Sequence, residues 1–513
     1  MGLQKLTQSI IDSIGGRRIV IYTMVKSYLK QMAEQFGDVV LARIELIIDD
    51  VERNFGTCEV DDTHQYKVVP VDYLQNLDPN EYVILITSEY YWKKKENLDN
   101  LPYPITKDVY YFEDIDTAYY HEYLDEYKAT PLRDAIVFRS GMRVAADYPY
   151  SDFTDNAKAL FDYMLEKGYN ERYELIWIVA DPTKCNDYNS IPNVRFLDDE
   201  WCHSKKKNER DAYYEAICLS KYFFFTEHCS FVRLPREGQV RIQLWHGHGF
   251  KGRNIYEDCS FQYDYMTVAG NLYKQIHKEI FRLKEEQLLI TGLPKQDWVY
   301  HPVSPREWES LGIPRAEKYI FWLPTVRKTG RGSITDNDTL HTETGLSVVN
   351  SYSDLDKLNA LLERFRMVLV VKLHPEQEEN INFNGKYRNI HILKNQLLAD
   401  RRIHINQLFA YSDALVSDYS SVAMDYALTD KPIAFMLEDK EAYEKSIGFV
   451  LNPIEEYLPG VCVYSYDEFE SFIKEVYEGN DGCADRRRRM SRLMNEFQDD
   501  KNCERVLEAV GIK

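Results

Sequence analysis

The stretch Val240-Arg-Ile-Gln-Leu-Trp-His-Gly-His-Gly-Phe-Lys251 decides the fold class of this chain. Its apolar residues first alternate with polar ones, which is the period of a strand with one buried face. Trp245, His246 and Gly247 then follow, and two glycines lie within three residues. Ligands bind at the carboxyl ends of strands in parallel α/β sheets, where glycine lets the backbone approach them. His246 could therefore take a proton near neutral pH, or it could simply cap a loop.

Three further predicted strands, in the second half of the chain, end in polar residues: Pro324-Thr325-Val-Arg327, Lys372-Leu-His374 and Ser417-Asp418-Tyr-Ser420-Ser421. These groups should gather at one edge of a parallel sheet. A helix that begins at Ser420 and Ser421 could hold phosphate with its free N–H groups, or the two hydroxyls could be plain helix caps. Arg327 can clamp a phosphate, and Lys372 and His374 can add charge-assisted hydrogen bonds. The set suits a diphosphate with developing negative charge.

Length and composition limit the class of protein. At 513 residues the chain is too long for one hydrophobic core, which predicts two or three domains. A hydrophobic fraction of 44% excludes wholesale disorder. The net charge of −20 disfavours broad binding to nucleic acid or anionic lipid. The basic runs at 205–207 and 486–489 could still bind phosphate or headgroups, or they could be solvated faces.

Cysteine usage indicates the compartment. The 9 cysteines are scattered and never spaced as Cys-x-x-Cys, so neither a disulfide framework nor a zinc site is predicted. No apolar signal core follows Met1, and no apolar run reaches the length of a membrane span. We therefore expect a soluble chain, or one bound at a membrane surface.

Alternating strand-like and helix-like patterns predict three parallel α/β regions. Strands are expected in the first region at 19–22, 39–48, 66–71, 83–86 and 109–112, and 118–130 reads as a linker. The second region should have strands at 135–141, 175–179, 194–196, 222–225, 242–244 and 288–290. The third should have strands at 319–323, 368–371, 390–392, 414–416 and 433–435, and the C-terminal 467–510 should be helical. The first region lacks a glycine-rich phosphate turn, which predicts an accessory domain.

Six short motifs follow one another between residues 245 and 432. They are Trp245-His-Gly247 with Lys251, Thr291-Gly292-x-Pro294 with Asp297, Pro324-Thr325-x-Arg327, His374-Pro375, Asp418-Tyr-Ser420-Ser421 with Asp425, and Lys431-Pro432. Their order resembles that of CDP-glycerol glycerophosphotransferases, the teichoic-acid and capsule polymerases with a GT-B fold. The resemblance runs from about 135 to 460. Residues before about 130 instead look like small Rossmann-like modules of bacterial surface-polysaccharide enzymes.

The resemblance implies an α/β architecture of the GT-B type, with two Rossmann-like halves around a cleft. The half at 129–300 would hold the acceptor and the general base, and the half at 301–513 would hold the CDP-linked donor and carry C-terminal helices. An extra Rossmann-like domain at 1–128 would precede them. The implied reaction is attack by a polymer hydroxyl on the β-phosphate of CDP-glycerol or another CDP-polyol, which releases CMP and forms a phosphodiester.

The resemblance also implies site residues. His246 would be the general base, and His374 is the second catalytic candidate. The donor diphosphate would be bound by Lys251, Arg327, Lys372, Asp418, Ser420, Ser421 and Asp425, of which Asp425 could instead orient a neighbour. The nucleotide pocket would be formed by Thr291, Gly292, Pro294, Pro324 and Thr325, and the acceptor side by Ser140, Gly141 and Asp152. His248-Gly249 stands where relatives often carry Thr-Pro, and Val326 where an aromatic residue is frequent, which leaves the donor and acceptor open.

The expected partners follow from the same resemblance. They are a CDP-glycerol or other CDP-polyol donor and a polymer or lipid-linked acceptor, with no nucleic acid. We expect no tightly bound cofactor and no metal site, because no carboxylate cage is visible, while the need for a divalent cation stays open. The expected location is the cytoplasm, with peripheral contact at the inner face of the cell membrane as an option.

Two other functions share these features. A GT-B glycosyltransferase that uses a nucleotide sugar would have the same fold and the same helix terminus at the diphosphate. An inactive scaffold of a surface-polysaccharide system would explain the glycine-poor first domain, but it would leave His246, Arg327 and His374 without a purpose.

Overall fold

The computed structural model describes residues 3–513 except 24–25, 52–53, 61–63, 141–152, 228–230, 253–257, 326–341, 375–377 and 379–384. The chain divides into two compact units. The first unit contains Met1–Arg133, Asp199–Ser220 and Ser230–Gln239, and the second contains Asp134–Asp198, Lys221–Cys229 and Val240–Lys513. The first unit thus includes two later passages of the chain that the sequence analysis placed in 129–300.

The N-terminal sheet lies in the first unit. Its described strands are β1 (Gln4–Lys5), β2 (Arg18–Tyr22), β3 (Ile44–Asp49), β4 (Gly56–Glu59), β5 (Gln65–Pro70), β6 (Tyr82–Ile86) and β7 (Val109–Tyr111), in the order β1-β7-β6-β2-β3-β5-β4. Only the β4–β5 pair among them is antiparallel. Ile19 and Ile21 belong to the core on one face and Val20 and Tyr22 to the core on the other, which explains the continuous apolar run of β2.

The middle sheet lies in the second unit. Its described strands are β8 (Arg133–Arg139), β9 (Glu174–Val179), β10 (Val194–Asp198), β11 (Ser220–Phe225), β12 (Val240–Gln243), β13 (Tyr265–Val268) and β14 (Leu288–Ile290), in the order β10-β9-β8-β11-β12-β13-β14. β9 pairs in parallel with β8 and β10, and β11 to β14 pair in parallel in chain order. β12 therefore lies inside the sheet, and its carboxyl end carries His246.

The C-terminal sheet also lies in the second unit. Its described strands are β15 (Lys318–Trp322), β16 (Met367–Val371), β17 (Ile390–Ile392), β18 (Ala414–Ser417), β19 (Ile433–Met436) and β20 (Val461–Val463), in the order β17-β16-β15-β18-β19-β20. All five neighbouring pairs are parallel. β15, β16 and β18 are adjacent, so the polar residues that follow them lie at one edge of the sheet, as the sequence predicts.

The helices connect the strands. They are α1 (Gln8–Ser13), α2 (Lys26–Phe36), α3 (Asp38–Leu41), α4 (Tyr91–Asp99), α5 (Ile115–Tyr127), α6 (Asp155–Glu166), α7 (Lys207–Leu219), α8 (Asn271–Ile280), α9 (Pro305–Ser310), α10 (Tyr352–Arg364), α11 (Asn395–Asp400), α12 (Val422–Tyr426), α13 (Lys440–Ser446), α14 (Tyr466–Glu478), α15 (Ala484–Met494) and α16 (Asn502–Ala509). The strand expected at 39–48 is wrong in its first part, because Asp38 starts α3 and the strand begins only at Ile44. None of the helices in the described residues could span a membrane.

Residues 118–127 of the predicted linker 118–130 belong to the helix α5. Asp114 caps α5 by accepting a hydrogen bond from the Thr117 N–H at 2.9 Å. On α5, Tyr123 stacks on Tyr214 of α7 with ring centroids 4.7 Å apart, and its hydroxyl donates to Asp211 at 2.6 Å. These aromatic and polar contacts are the physical reason why the passage with α7 belongs to the first unit.

The C-terminal helix joins the two sheets of the second unit. Cys503, Val506 and Leu507 of α16 lie in the same core as Trp177 of β9 and Phe224 of β11. The chain therefore returns from the C-terminal sheet to the middle sheet at its end. This return places the carboxyl edges of both sheets in one compact body, where a site can be formed between them.

Candidate active site

The loop that follows β12, residues 244–252, is called the histidine loop. The side chain of Trp245 is buried, and its backbone is left-handed with φ +56°. Two hydrogen bonds hold this unusual conformation: the Trp245 N–H donates to Gln243 Oε1 at 2.8 Å, and Asn156 Nδ2 donates to the Trp245 carbonyl at 2.8 Å. Backbone strain of this kind persists only where the surroundings fix it, and it is common at functional sites.

His246 is exposed at the tip of the histidine loop. Its Nδ1 lies 3.3 Å from the carbonyl oxygen of Thr226, which follows the neighbouring strand β11. A proton on Nδ1 that is donated to this carbonyl makes Nε2 the basic nitrogen. This contact therefore favours the tautomer of His246 that a general base requires.

The segment that follows β18, residues 417–422, is called the serine segment and meets the histidine loop. A Cβ added at Gly247 would lie only 2.7 Å from Ser421 Oγ, and one at Gly249 would lie 3.6 Å from Ser421 Cβ. Ser421 precedes α12 and makes no side-chain cap bond to it. The structure thus brings the backbone of the histidine loop and Ser421 together from two different sheets.

A second contact fixes the end of the histidine loop. Lys251 forms an isolated antiparallel bridge with Phe449. The Gly252 N–H donates to the Gly448 carbonyl at 2.9 Å, and the Val450 N–H donates to the Phe250 carbonyl at 3.0 Å. The histidine loop is therefore anchored on the half of the second unit that contains the serine segment.

A cluster of cations lies at the end of β16. Burial lowers the pKa of Lys372 to about 8, and Glu378 opposes this shift. Burial also lowers the pKa of His374 to about 4, with further lowering by Lys372 and Lys251. His374 is thus a neutral hydrogen-bonding group at pH 7, and its predicted charge-assisted bond to a phosphate would depend on the charge of the phosphate. The positive charges of this cluster are on lysines.

A cavity of about 500 Å³ lies beside Lys372. Phe153, Lys184 and Trp298 line it from one side, and Arg402 and His404 line it from the other. Cavities of about 300–1,000 Å³ typically hold small molecules. Its aromatic and cationic lining is suited to a nucleotide.

Asp418 has a structural partner. Its carboxylate accepts hydrogen bonds from the Thr325 N–H at 2.9 Å and from Thr325 Oγ1 at 2.5 Å, and both residues are buried. Asp418 thereby fixes the turn Pro324-Thr325 after β15. Arg327, the predicted phosphate clamp, follows this turn and lies outside the described residues.

Asp425 is buried on α12 and belongs to a polar network. Its carboxylate accepts from Gln296 Nε2 at 3.0 Å and from Asn406 Nδ2 at 3.4 Å, and it lies 3.6 Å from Lys295 Nζ. Its role, donor contact or orientation of a neighbour, stays a prediction. The sequence analysis missed Lys295, Gln296 and Asn406, although polar residues directly behind Pro294 were a signal.

The motif Thr291-Gly292-x-Pro294 contacts α16. Gly292 has φ +75° and leaves no room for a side chain, because a Cβ there would overlap Asn502. Asp297 accepts from the N–H groups of Asn502 at 2.9 Å and Cys503 at 2.8 Å, at the start of α16. The described contacts of this motif therefore hold the C-terminal helix. Its part in a nucleotide pocket stays a prediction.

His248 is buried behind the histidine loop. It stacks on Tyr273 with ring centroids 4.4 Å apart and accepts a hydrogen bond from the Ala269 N–H at 2.9 Å through Nε2. Burial, with His277, Lys295 and His246 nearby, lowers its pKa well below the ordinary value. His248 is thus a neutral packing residue that contacts Tyr273 and His277.

On the predicted acceptor side only Ser140 is described, since Gly141 and Asp152 lie outside the described residues. Ser140 Oγ donates to the Thr154 carbonyl at 2.8 Å, just before α6.

Glu227, which follows β11, is a titratable group that the sequence analysis missed. Burial raises its pKa to about 7, which Arg139 opposes and Asp155 reinforces. A carboxyl group that titrates near neutral pH is a further acid or base candidate.

Both basic runs are largely paired. Arg487 is buried and bonds Asp481 at 2.6 Å and Asp430 at 3.1 Å. Lys206 and Lys207 form ion pairs with residues of α7 one turn away. The contacts of Lys206 and Lys207 favour a solvated helix face, whereas buried Arg487 has a structural role. Among the described residues, no group of three or more His, Cys, Asp or Glu side chains is placed to hold a metal ion.

Comparison with known proteins decides the family. The family model of CDP-glycerol:poly(glycerophosphate) glycerophosphotransferase matches residues 135–511. The chain belongs to this family. Membership in the glycerophosphotransferase family confirms the predicted family and the predicted enzyme class, a transferase.

Relatives of this glycerophosphotransferase are teichoic acid enzymes. The teichoic acid glycerol-phosphate primase of Bacillus subtilis (strain 168) is 26% identical over 340 residues, which cover 63% of this chain and 81% of the primase. The teichoic acid poly(glycerol phosphate) polymerase of Staphylococcus epidermidis is 24% identical over 350 residues, which cover 63% of this chain but only 44% of the polymerase. The wall teichoic acid polymerase TagF has a similar structure, with TM-score 0.58, 18% identity, and coverage of 82% of this chain and 97% of that chain. This likeness supports the predicted two-lobed GT-B fold.

Proposed function

We propose that this glycerophosphotransferase moves glycerol phosphate, or a related polyol phosphate, from a CDP-linked donor to a hydroxyl of a teichoic-acid polymer and releases CMP. The observation that carries the proposal is the contact of the histidine loop with the serine segment, beside the lysines of the cation cluster. A base, a phosphate-binding segment and positive charge are the groups that such a transfer requires.

The acceptor side of the reaction uses His246. Its Nε2 takes the proton of the attacking hydroxyl, whose oxygen forms a bond to the β-phosphorus of the donor. The bond from this phosphorus to the oxygen of CMP breaks, and the electron pair leaves with CMP. General-base assistance of this kind contributes about 10²–10⁴-fold to a rate.

The donor side neutralises charge. Lys251 and Lys372 face the diphosphate, His374 contributes a neutral hydrogen bond, and Ser420 and Ser421 offer hydroxyl and backbone donors. Phosphoryl transfer requires little covalent work from a protein, so positioning and electrostatic stabilisation dominate. The cytidine occupies the cavity beside Lys372. This cavity has a volume of about 500 Å³, which suits a nucleotide.

The reaction in this proposal needs no tightly bound cofactor. Lysines take the place that a divalent cation has in many phosphoryl transferases. The acceptor is a teichoic-acid polymer or its lipid-linked precursor, and a lipid-linked acceptor would bring the enzyme to the inner face of the membrane by its substrate. Rates measured with EDTA and with added Mg²⁺ test the first point, and co-flotation with vesicles that carry the acceptor tests the second.

The decisive experiment is a donor screen. The full chain is incubated with a short glycerol-phosphate oligomer and with CDP-glycerol, CDP-ribitol, or a series of UDP- and GDP-sugars, and the released nucleotide is identified. We expect CMP from a CDP-polyol, and only when the acceptor is present. Release of UDP or GDP would instead establish a glycosyltransferase, and no release with any donor would favour a scaffold.

A further inference from the structure

Lys295 lies where the two halves of the second unit meet. It follows Pro294 on the segment that leads from the middle sheet to the C-terminal sheet, and its side chain is only 8% exposed. Its N–H donates to Asn156 Oδ1 of α6 at 3.0 Å, and its carbonyl accepts from Asn406 Nδ2 at 3.0 Å. The backbone of Lys295 is therefore fixed from both halves.

The ammonium of Lys295 makes three polar contacts. It donates to the carbonyl oxygen of His246 at 2.7 Å. It also lies 3.4 Å from Asp155 Oδ1 of α6 and 3.6 Å from Asp425 Oδ2 of α12. One buried cation thus joins a carboxylate of each half to the backbone of the candidate base.

The charge of this group is stable at neutral pH. Burial lowers the pKa of Lys295, but Asp155 and Asp425 outweigh this effect and hold the pKa above its ordinary value. Burial in turn raises the pKa of each carboxyl, and Lys295 opposes it. Without the cation, two carboxyl groups would face each other in a site with little water, and they could not both stay ionised at low cost.

Gly247 shows how close the ammonium is to the reacting groups. A Cβ added at this glycine would lie 3.3 Å from Lys295 Nζ and 2.7 Å from Ser421 Oγ. The ammonium therefore supports the place where the histidine loop touches the serine segment. Movement of the loop by about 1 Å can lower a rate about 10²-fold, because the reacting atoms lose their alignment.

We propose that Lys295 is a positioning residue of the transfer reaction. Its ammonium lies between two carboxylates from opposite halves of the site and holds the carbonyl of His246 in place. The inference rests on the proposed function for its effect on rate, but its effect on the loop is independent of any substrate. Lys295 touches neither donor nor acceptor in this proposal, and it acts through His246.

The test compares Lys295→Met, which removes the charge, with Lys295→Arg, which keeps it. Lys94→Met is the matched control, because Lys94 is also buried and bonds Asp50 at 2.6 Å in the first unit. We expect Lys295→Met to lower kcat about 10²-fold with a donor KM within about threefold of the wild type. Lys295→Arg should retain kcat within about tenfold, and Lys94→Met should leave kcat unchanged. A kcat of Lys295→Met within about threefold of the wild type would overturn the proposal.

A double-variant cycle separates positioning from general stabilisation. If Lys295 acts through His246, adding Lys295→Met to His246→Ala should change the residual rate by less than about threefold. A further loss of about 10²-fold in that background would show that Lys295 acts independently of the base, which would contradict the proposal.

Hydrogen exchange measures the protection of backbone amides in the histidine loop without a substrate. Lys295→Met should speed exchange in peptides that cover 244–252 and 417–426, whereas Lys94→Met should not, and unchanged exchange in both peptides would overturn the inference. If Lys295→Met fails to fold, Lys295→Met with Asp155→Asn removes the cation and one carboxylate together, and the same two peptides are compared. Absence of CMP release from the wild type would refute the proposed function, whereas exchange would still decide the role of Lys295.

Discussion

The N-terminal sheet and the C-terminal sheet both end in polar residues, and the two sets of residues differ in charge. After the N-terminal sheet, Asp50 accepts from Tyr22 at 2.8 Å and from Lys94 at 2.6 Å, so opposite charges neutralise each other. At the C-terminal sheet, burial lowers the pKa of His374, and the neighbouring cations Lys372 and Lys251 lower it further. Cations that a fold holds close to one another favour an anion site, whereas a compact ion pair favours a structural role.

The same comparison explains why the fold alone does not place the chemistry. Apart from the antiparallel β4–β5 pair, the described strand pairs of both sheets are parallel. Both sheets are buried on both faces, and both have the strand–helix alternation of a nucleotide-binding fold. The difference lies in a few side chains at the strand ends. Substitutions that act on these side chains should therefore affect catalysis in the second unit and stability in the first.

The largest effect is expected from His246→Ala. The imidazole is exposed, so its loss should leave folding intact, and kcat should fall about 10²–10⁴-fold because the general base is removed. The measurement is CMP release under saturating donor, together with thermal melting. His301→Ala is the matched control, because His301 is also exposed and lies on the surface near Asp500. Near-wild-type turnover of His246→Ala would remove this residue from the mechanism.

Gly247→Ala should have the next largest effect. Its Cβ would come within 2.7 Å of Ser421 Oγ, and its φ of +136° is unfavourable for alanine. We expect kcat to fall about 10²-fold, because the histidine loop must move away from the serine segment. Gly56→Ala has a similar φ of +130° with no atom near its Cβ, and so it controls for backbone strain alone. Equal kinetics of the two variants would contradict the close contact.

A smaller effect is expected from pH. Burial lowers the pKa of Lys372 to about 8 against the opposing effect of Glu378, so the free enzyme loses this charge above that pH. The donor KM should therefore rise up to about tenfold from pH 7 to pH 9, and Lys372→Met should abolish this rise. A wild-type KM that is flat over this range would show that Lys372 does not bind the donor.

Stability should show the opposite pH trend for Lys372. The unfolded chain keeps the Lys372 proton up to the ordinary pKa of 10.5, so between about 8 and this value the unfolded state binds more protons. The contribution of Lys372 to the free energy of unfolding therefore increases with pH in this window. Denaturant titrations of the wild type and Lys372→Met at pH 8 and pH 10 measure the difference.

The smallest catalytic effect is expected from Asp50→Asn in the first unit. It weakens the bonds to Tyr22 and Lys94, so the free energy of unfolding of this unit should fall by about 1–3 kcal/mol. The values of kcat and KM should not change. Asp72→Asn, at an exposed aspartate, should alter the free energy of unfolding by less than about 0.5 kcal/mol. Loss of turnover in Asp50→Asn would mean that the first unit contributes to the chemistry.

The sequence predicts much of the fold because buried parallel strands are continuous apolar runs. β9 and β16 are clear for this reason. β13 and β20 were missed, since each has only three or four residues and little pattern. α5 was read as a linker because its tyrosines and acids alternate without an apolar stripe, and its partner α7 is distant in sequence.

The candidate site was predicted in part for a similar reason. His246 and Ser421 follow strands directly, so a strand prediction is enough to place them at one edge of a sheet. Lys295 could not be found in this way, because its partners Asp155 and Asp425 come from distant segments that only the folded chain brings together. A motif gives the identity of its residues, but not what they contact in the fold. Gly292, for example, contacts α16.

The first unit is built from three separate passages of the chain, and this limits how the unit can be exchanged or removed. Because the chain leaves this unit at Arg133 and returns to it twice, no single recombination point can exchange the unit for another module. A shortened gene that begins after Arg133 would keep α7 but lose Tyr123, and the ring of Tyr214 would be left bare to water. An exchange of this unit would therefore have to replace all three passages together.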